Sequence, residues 1–208
     1  MPEKIKVFCG PADGSLKNVY FEEPDEFVVG VDSGLDFLVE NHIRIDLAVG
    51  DFDSVNPVLV PEVLNRAGEV IRLSPEKNMT DLAFAIDHLY NTMEYGSITV
   101  YGGIGGRIDH FLANLNLLKK YDLCFRDNRT VMFALRKGRH RIENFHHYVS
   151  FFAIEDVYDL MLKGFDYELD HYFLRTDDSL CVSNGGSGDI EFSKGRILVI
   201  MTEDKFRN

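Results

Sequence analysis

The stretch "TDLAFAIDHLYNTMEYGSITVYGGIGGRIDHFLANLNLLKK", residues 80–120, decides the reading of the fold. Leu82, Ala85, Ile86 and Leu89 recur at helical spacing, so 80–91 reads as an amphipathic helix. "SITVYGG" (97–103) follows as a short, continuous apolar strand. The helical period then returns over 108–120, with Ile108, Phe111, Leu112, Leu115 and Leu118 on one stripe. Helix, buried strand and helix in succession mark a crossover unit, and such units build a mainly parallel sheet with helices on both faces.

The same alternation runs back to the N-terminus. "IKVFCG" (5–10), "EFVVGVD" (26–32), "DLAVGD" (46–51) and "EVIRLS" (69–74) read as strands. "SGLDFLVENH" (33–42), with Ser33 as N-cap, and "PEVLNRAG" (61–68), with Pro61 at its start and Gly68 at its end, read as helices. Beyond about residue 130 the helical period stops. "TVMFALRKG", "YVSFFAI", "VYDLML", "DYELD", "HYFLR", "LCVSN", "DIEFS" and "RILVIM" are short strand candidates separated by turn residues. The expected architecture is therefore an α/β N-terminal domain, 1–130, followed by an all-β antiparallel sandwich domain, 131–208. The boundary falls near 126–138.

Composition narrows the function. The 208 residues suffice for a sizeable core, and 45% hydrophobic with 27% charged residues is ordinary for a globular chain. A formal charge of −12 excludes a nucleic-acid partner of the usual kind, because no excess of cations is available to displace counterions. The basic run "RKGRHR" (136–141) reads as a solvated hairpin around Gly138, and "HH" (146–147) as surface. Cys9, Cys124 and Cys181 are odd in number and widely spaced, which favours reduced thiols and a cytoplasmic location. No apolar run is long enough to span a bilayer, so no membrane partner is expected.

In a parallel α/β sheet, ligands bind beyond the carboxyl ends of the strands, and this chain collects aspartates there. Asp32 ends one strand, Asp51 and Asp53 end the next, and Asp81 and Asp109 open helices. Asp81 and Asp109 also suit a helix dipole, and Asp32 suits a turn. Asp51 and Asp53 are harder to explain so simply. If the strand continues through them, both carboxylates face one side, and such a pair ionises together only with a cation between them. Phe52 then points into packing. The loop "GGIGGR" supplies the complement. Gly102, Gly103, Gly105 and Gly106 let main-chain N–H groups approach an anion, and Arg107 offers a forked cation. Together these residues compose a site for a polyphosphate with Mg²⁺. His110 is either a general base or a packing residue.

These motifs resemble those of the thiamine pyrophosphokinase family along nearly the whole chain. "IDLAVGDFDSV", "EKNMTD" with Lys77, Thr80 and Asp81, "GGIGGRIDHFLANLNLL" and "SLCVSN" with Ser183 and Asn184 carry the resemblance. It implies transfer of the pyrophosphoryl group of ATP to thiamine, with thiamine diphosphate and AMP as products and Mg²⁺ required. It assigns Asp51, Asp53 and Asp81 to Mg²⁺, directly or through water. Asp109 becomes a further ligand or the group that orients the thiamine hydroxyl. Arg107 and the four glycine amides hold phosphates, Asp32 helps fix the nucleotide or the metal shell, Thr80 helps fix the nucleotide, and Ser183 and Asn184 bond the aminopyrimidine. It also implies a homodimer. The chain departs from the family pattern at Asn78, where the family has Asp, at Ala83, where an acid or amide is common, and at Gly185, where bacterial relatives often carry an acid. It has no tryptophan, so the aromatic contact to thiamine falls to a Tyr or Phe. A metal-dependent phosphoesterase and a non-catalytic nucleotide-binding module are the competing readings. The nucleotide product separates all three.

Overall fold

A computed structural model describes residues 4–76 and 78–204. The chain divides into two compact units, Met1–Asn128 and Arg129–Asn208.

The first unit is built on strands β1 (Lys4–Phe8), β2 (Glu26–Val31), β3 (Ile45–Gly50), β4 (Ala67–Arg72), β5 (Ser97–Tyr101) and β6 (Cys124–Arg126). They lie in the order β4-β3-β2-β1-β5-β6, and every pair is parallel. Helices α1 (Gly34–Glu40), α2 (Val60–Arg66), α3 (Asp81–Thr92) and α4 (Ile108–Lys120) make the crossovers that parallel pairing demands. β2 and β3 are buried along nearly their full length, as strands covered on both faces must be. β4, at the edge, is mostly exposed. The winding runs outward from β1 to β4, then returns to place β5 on the other side of β1. The strand order therefore reverses between β1 and β5, and the crevice at their carboxyl ends is where this topology places a ligand. Beneath it, Phe8 stacks on Phe37 and Tyr101 and meets Tyr20 edge-on.

Helix α3 buries Leu82, Ala85, Ile86 and Leu89, the face its period predicts. Full burial of each Leu or Ile is worth about 1.5–3 kcal/mol. Helix α4 follows its period only in part. It spans the expected residues and buries Leu118, with Phe111 and Leu115 half-buried, but Ile108 and Leu112 are 75% and 56% exposed while Asn114 and Leu117 are buried. The buried Asn114 amide donates to the Gly103 carbonyl at 2.9 Å, as a polar group on an inward face must find a partner. Two smaller expectations also change. Gly68 does not end α2, because β4 begins at Ala67, and Ser33 holds the N-cap position of α1 without a side-chain bond.

The second unit is antiparallel, with β7 (Thr130–Ile142), β8 (Tyr148–Lys163), β9 (Leu169–Leu174) and β10 (Gly188–Thr202) in the order β7-β10-β8-β9. Eight short candidates thus resolve into four strands, three of them long. "YVSFFAI" and "VYDLML" merge in β8, and "DIEFS" and "RILVIM" merge in β10. "LCVSN" is a turn with a single bridge, Val149 to Asn184. The apparent breaks are register shifts, as between Phe192 and Arg196. Irregularities of this kind bend a strand instead of ending it. The bend is sharp in β8. A straight strand would hold Phe151 and Lys163 about 40 Å apart, yet the ring of Phe165, two residues past the end of the strand, meets that of Phe151 edge-on at 5.2 Å.

"RKGRHR" is no hairpin. It is the middle of β7, with Gly138 opposite Phe192 and Arg139 paired to Asp189 at 3.0 Å. It is mostly exposed, as a solvated segment should be. His146 is not a surface residue, since its side chain is 8% exposed and lies 3.5 Å from Glu203. Among the described residues, no helix is long and apolar enough to cross a membrane.

Candidate functional site

The carboxyl ends of the parallel strands surround a cleft of about 310 Å³. β1 contributes Cys9, Gly10 and Pro11, and β2 contributes Asp32 and Ser33. Ser54 comes from the turn after β3, and Thr80 and Asp81 from the start of α3. Gly105, Gly106 and Arg107 precede α4, while His110 and Asn114 lie on it. Of the residues expected in the site, Asp32, Thr80, Asp81, Gly105, Gly106 and Arg107 are brought together here.

Asp51 and Asp53 border the cleft in sequence, immediately before Ser54. They do not continue the strand. β3 ends at Gly50, and the chain turns at Phe52, which has a φ of +66°. The turn is fixed on both sides. The Phe52 ring is 6% exposed, with the Arg72 guanidinium 5.4 Å from its centre, and the Asp53 N–H donates to Asp51 Oδ1 at 3.1 Å. Phe52 therefore packs inward, as expected, but the two carboxylates are presented by a turn and not by strand alternation.

Gly50 explains how the turn meets Asp32. Its φ is +148°, and a Cβ there would lie 2.0 Å from Asp32 Oδ1. The Asp32 carboxylate thus occupies the space a side chain at 50 would need, and it is brought to the root of the Asp51–Asp53 turn. Asp32 itself has a φ of +48°, and its N–H donates to the Val49 carbonyl at 3.2 Å. Backbone held in this sparsely populated region is concentrated at functional sites. Asp32 Oδ1 and Asp81 Oδ1 are both shut off from solvent.

Thr80 is the N-cap of α3, and its hydroxyl accepts from the Ala83 N–H at 3.2 Å. That cap, worth about 1 kcal/mol, fixes where Asp81 stands. Asp109 points outward in a forked pair with Arg107, at 2.6 and 3.2 Å. The Arg107 hydrogen bonds pull its carboxyl down to about 2, so it is ionised at neutral pH. Gly102 and Gly103, expected to hold phosphate, are buried and do not line the cleft. Ser183 and Asn184 belong to the second unit. The Asn184 amide donates to the Tyr167 carbonyl at 2.8 Å, and its oxygen accepts the Tyr167 N–H at 2.9 Å. Lys77 lies outside the described residues.

Sequence reading passed over Cys9, Gly10, Pro11, Ser33, Ser54 and Asn114. Only the strand order marks the residues after β1 as site residues, because it places β1 at the reversal. Burial, then the charge of Asp32, push the Cys9 thiol up to about 12, and burial raises Cys181 to about 11. Both stay protonated at pH 8, and the thiolate is the reactive form. Titration of the native protein with a chromogenic disulfide at pH 8 should therefore show at most one fast thiol, half-buried Cys124, and three after denaturation. A second fast thiol in the native protein would contradict the burial of Cys9 and Cys181.

Among the described residues, no group of three or more His, Cys, Asp or Glu side chains is arranged to hold a metal. The donor set nevertheless suits Mg²⁺, a hard cation that takes oxygen ligands. Mg²⁺ commonly binds one or two carboxylates, with substrate phosphates and waters completing its shell. Asp32, Asp51, Asp53 and Asp81 supply only carboxylate oxygen at or beside the cleft.

Comparison with known proteins gives a consistent picture. Residues 20–133 match the family described as "Thiamin pyrophosphokinase, catalytic domain", and residues 139–197 match "Thiamin pyrophosphokinase, vitamin B1 binding domain". The chain is 32% identical over 189 residues to the thiamine pyrophosphokinase of Bacillus subtilis strain 168, covering 85% of this chain and 87% of that one. A crystal structure of thiamine pyrophosphokinase from Bacillus subtilis superposes with a TM-score of 0.87 at 28% identity, covering 97% and 99% of the two chains. Thiamin pyrophosphokinase from Candida albicans shares the fold, with a TM-score of 0.79 at 18% identity over 98% of this chain and 90% of that one.

Proposed function

The chain belongs to the thiamin pyrophosphokinase family, and from that premise we propose that it transfers the pyrophosphoryl group of ATP to thiamine, giving thiamine diphosphate and AMP. The observation that carries the proposal is the convergence of Asp32, Ser54, Thr80–Asp81 and Gly105–Arg107 on one cleft at the strand-order reversal.

In this reading the hydroxyethyl oxygen of thiamine attacks the β-phosphorus, and the bond from that phosphorus to the oxygen bridging the α-phosphate breaks. Such chemistry asks the protein chiefly for positioning and charge stabilisation. Asp51, Asp53 and Asp81 would hold Mg²⁺, which when bound supplies positive charge to the phosphate oxygens. Arg107 and the main-chain N–H groups of Gly105 and Gly106 hold phosphate, while Gly102 and Gly103 shape the loop. Arg107 must then exchange Asp109 for the nucleotide. That exchange releases an ionised carboxylate able to accept a hydrogen bond from the thiamine hydroxyl. Asp32 and Thr80 fix the wall against which the nucleotide lies.

Thiamine carries a permanent cation and an aminopyrimidine. Ser183 serves the latter, and Asn184 acts by clamping Tyr167. Itself 71% exposed, with its main chain bonded on both sides to Asn184, Tyr167 is the aromatic surface we assign to thiamine. A homodimer with the second unit as an antiparallel sandwich, free thiols and a cytoplasmic location complete the reading.

The test is incubation with ATP and Mg²⁺, with and without thiamine, followed by identification of the nucleotide product. AMP that forms only with thiamine is the expected result. ADP or free phosphate without an acceptor would indicate a phosphoesterase, and ATP bound but unchanged would indicate a binding module.

A further inference from the structure

The turn that carries Asp51 and Asp53 is held at both ends by one other segment. At its root, Asp32 Oδ1 fills the space that a side chain at Gly50 would need. At its far end, the Asn56 N–H donates to both oxygens of Asp36, at 3.0 Å to Oδ1 and 3.1 Å to Oδ2. Asp32 and Asp36 stand at the start of α1, where the Leu35 N–H donates to the Asp32 carbonyl at 2.9 Å. The two acids therefore move as one unit, and the turn is pinned between them.

Packing fixes the middle of the turn. Phe52 and Val55 are 6% and 2% exposed, and they share a buried cluster with Leu35, Phe37 and Leu38 of α1. Beyond Val55 the chain is exposed as far as Val58. Asn56 is otherwise bonded within its own segment: its side-chain oxygen accepts the Val58 N–H at 3.1 Å, and its carbonyl accepts the Leu59 N–H at 2.8 Å. Asp36 thus joins this exposed stretch to the helix. It is half-buried and does not line the cleft, so its place is behind the turn and not against a substrate.

We propose that Asp36 is a positioning residue: through the Asn56 N–H it sets where the turn presents Asp51 and Asp53, and so tunes the affinity of the site for ATP in its Mg²⁺ complex. The inference rests on the assignment of those two carboxylates to Mg²⁺ in the functional reading above. A carboxylate that accepts from a main-chain N–H makes one of the stronger hydrogen bonds open to it. Mg²⁺ tolerates little departure from octahedral oxygen geometry. A turn released at one end therefore loses affinity for the metal complex while its buried Phe52 and Val55 keep it folded.

The experiment uses α,β-methylene-ATP, in which carbon replaces the bridging oxygen whose bond would break, so the analogue binds without reacting. Its affinity for the intact protein and for each variant is measured by calorimetry, once with Mg²⁺ and once with EDTA. Asp36→Ala should weaken binding roughly tenfold with Mg²⁺, the scale lost when a group supporting metal ligands is removed, and leave it within about twofold with EDTA. Asp36→Asn keeps the shape and one acceptor oxygen, and should lose only about threefold with Mg²⁺. In an Asp53→Asn background, Asp36→Ala should cost less than it does in the parent, because one of the ligands it positions is gone. In turnover, Asp36→Ala should raise the KM for ATP at fixed Mg²⁺ while the KM for thiamine stays within about twofold.

Equal weakening with Mg²⁺ and with EDTA would mean a general loss of cleft structure and would overturn the proposal. Unchanged binding in Asp36→Ala would overturn it too, as would an undiminished loss in the Asp53→Asn background. Failure of the transferase reading looks different, because the calorimetry needs no turnover. A protein that makes no AMP with thiamine, yet shows the Mg²⁺-dependent loss in Asp36→Ala, loses that reading and keeps this inference. If the unaltered protein binds the analogue no better with Mg²⁺ than with EDTA, the metal assignment falls and this inference falls with it.

Discussion

Asp53→Asn lowers thiamine-dependent AMP formation by roughly a hundredfold or more at millimolar Mg²⁺, the order expected when a charge that holds the metal is removed from phosphoryl transfer. The same variant unfolds within a few degrees of the parent, because the side chain is exposed and asparagine keeps its shape. The separation is clean for a structural reason. The Asp51–Asp53 turn is held by the buried Phe52 ring and by the Asp53 N–H bonded to Asp51 Oδ1. Neither depends on the Asp53 carboxylate, so the substitution removes charge and keeps geometry. Asp51→Asn is less diagnostic, since its side chain both accepts that bond and is a proposed ligand. Raising Mg²⁺ should recover part of the lost activity if metal affinity is what changed. Near-parental turnover by Asp53→Asn at ordinary Mg²⁺ would exclude a direct ligand role.

How much of this was legible in the sequence depends on which physical signal carried each feature. Helix α3 was legible because the four residues of its stripe, Leu82, Ala85, Ile86 and Leu89, are all buried. Helix α4 was legible only in part: Leu118 of its stripe is buried and Phe111 and Leu115 are half-buried, while Ile108 and Leu112 are exposed and the polar Asn114, bonded to Gly103, shares the inward face. β8 and β10 were cut into pieces because bends and chain ends use the same residue types. At the site, Asp32 stood out as a charge at a strand end and Asp81 as one at a helix start. Cys9, Gly10 and Pro11 carry no such mark and become site residues only through the position of β1 in the sheet.

Gly102→Ala and Gly105→Ala should separate two roles that the glycine loop combines. Both residues have a φ of +80°, so alanine carries similar backbone strain at each, about 1–2 kcal/mol. Their surroundings differ completely. A Cβ at 102 would lie 2.2 Å from the Cys9 carbonyl oxygen and 2.8 Å from that of Pro11. Both are main-chain atoms at the end of β1, where the Cys9 N–H already donates to the Tyr101 carbonyl at 3.0 Å. They cannot move without separating β1 from β5 at the mouth of the cleft. Gly102→Ala is therefore expected to lose about 3–5 kcal/mol and roughly 10 °C in Tm. A Cβ at 105 meets no atom within 4 Å, so only the backbone strain remains. Its cost to activity should be larger than its cost to stability, because the methyl group projects into the space through which the loop amides would reach phosphate. Thermal unfolding of both variants, set beside their KM for ATP, measures the two effects independently. Equal destabilisation by the two substitutions would mean that the loop is a packing device throughout, and the assignment of Gly105 to phosphate would have to be withdrawn.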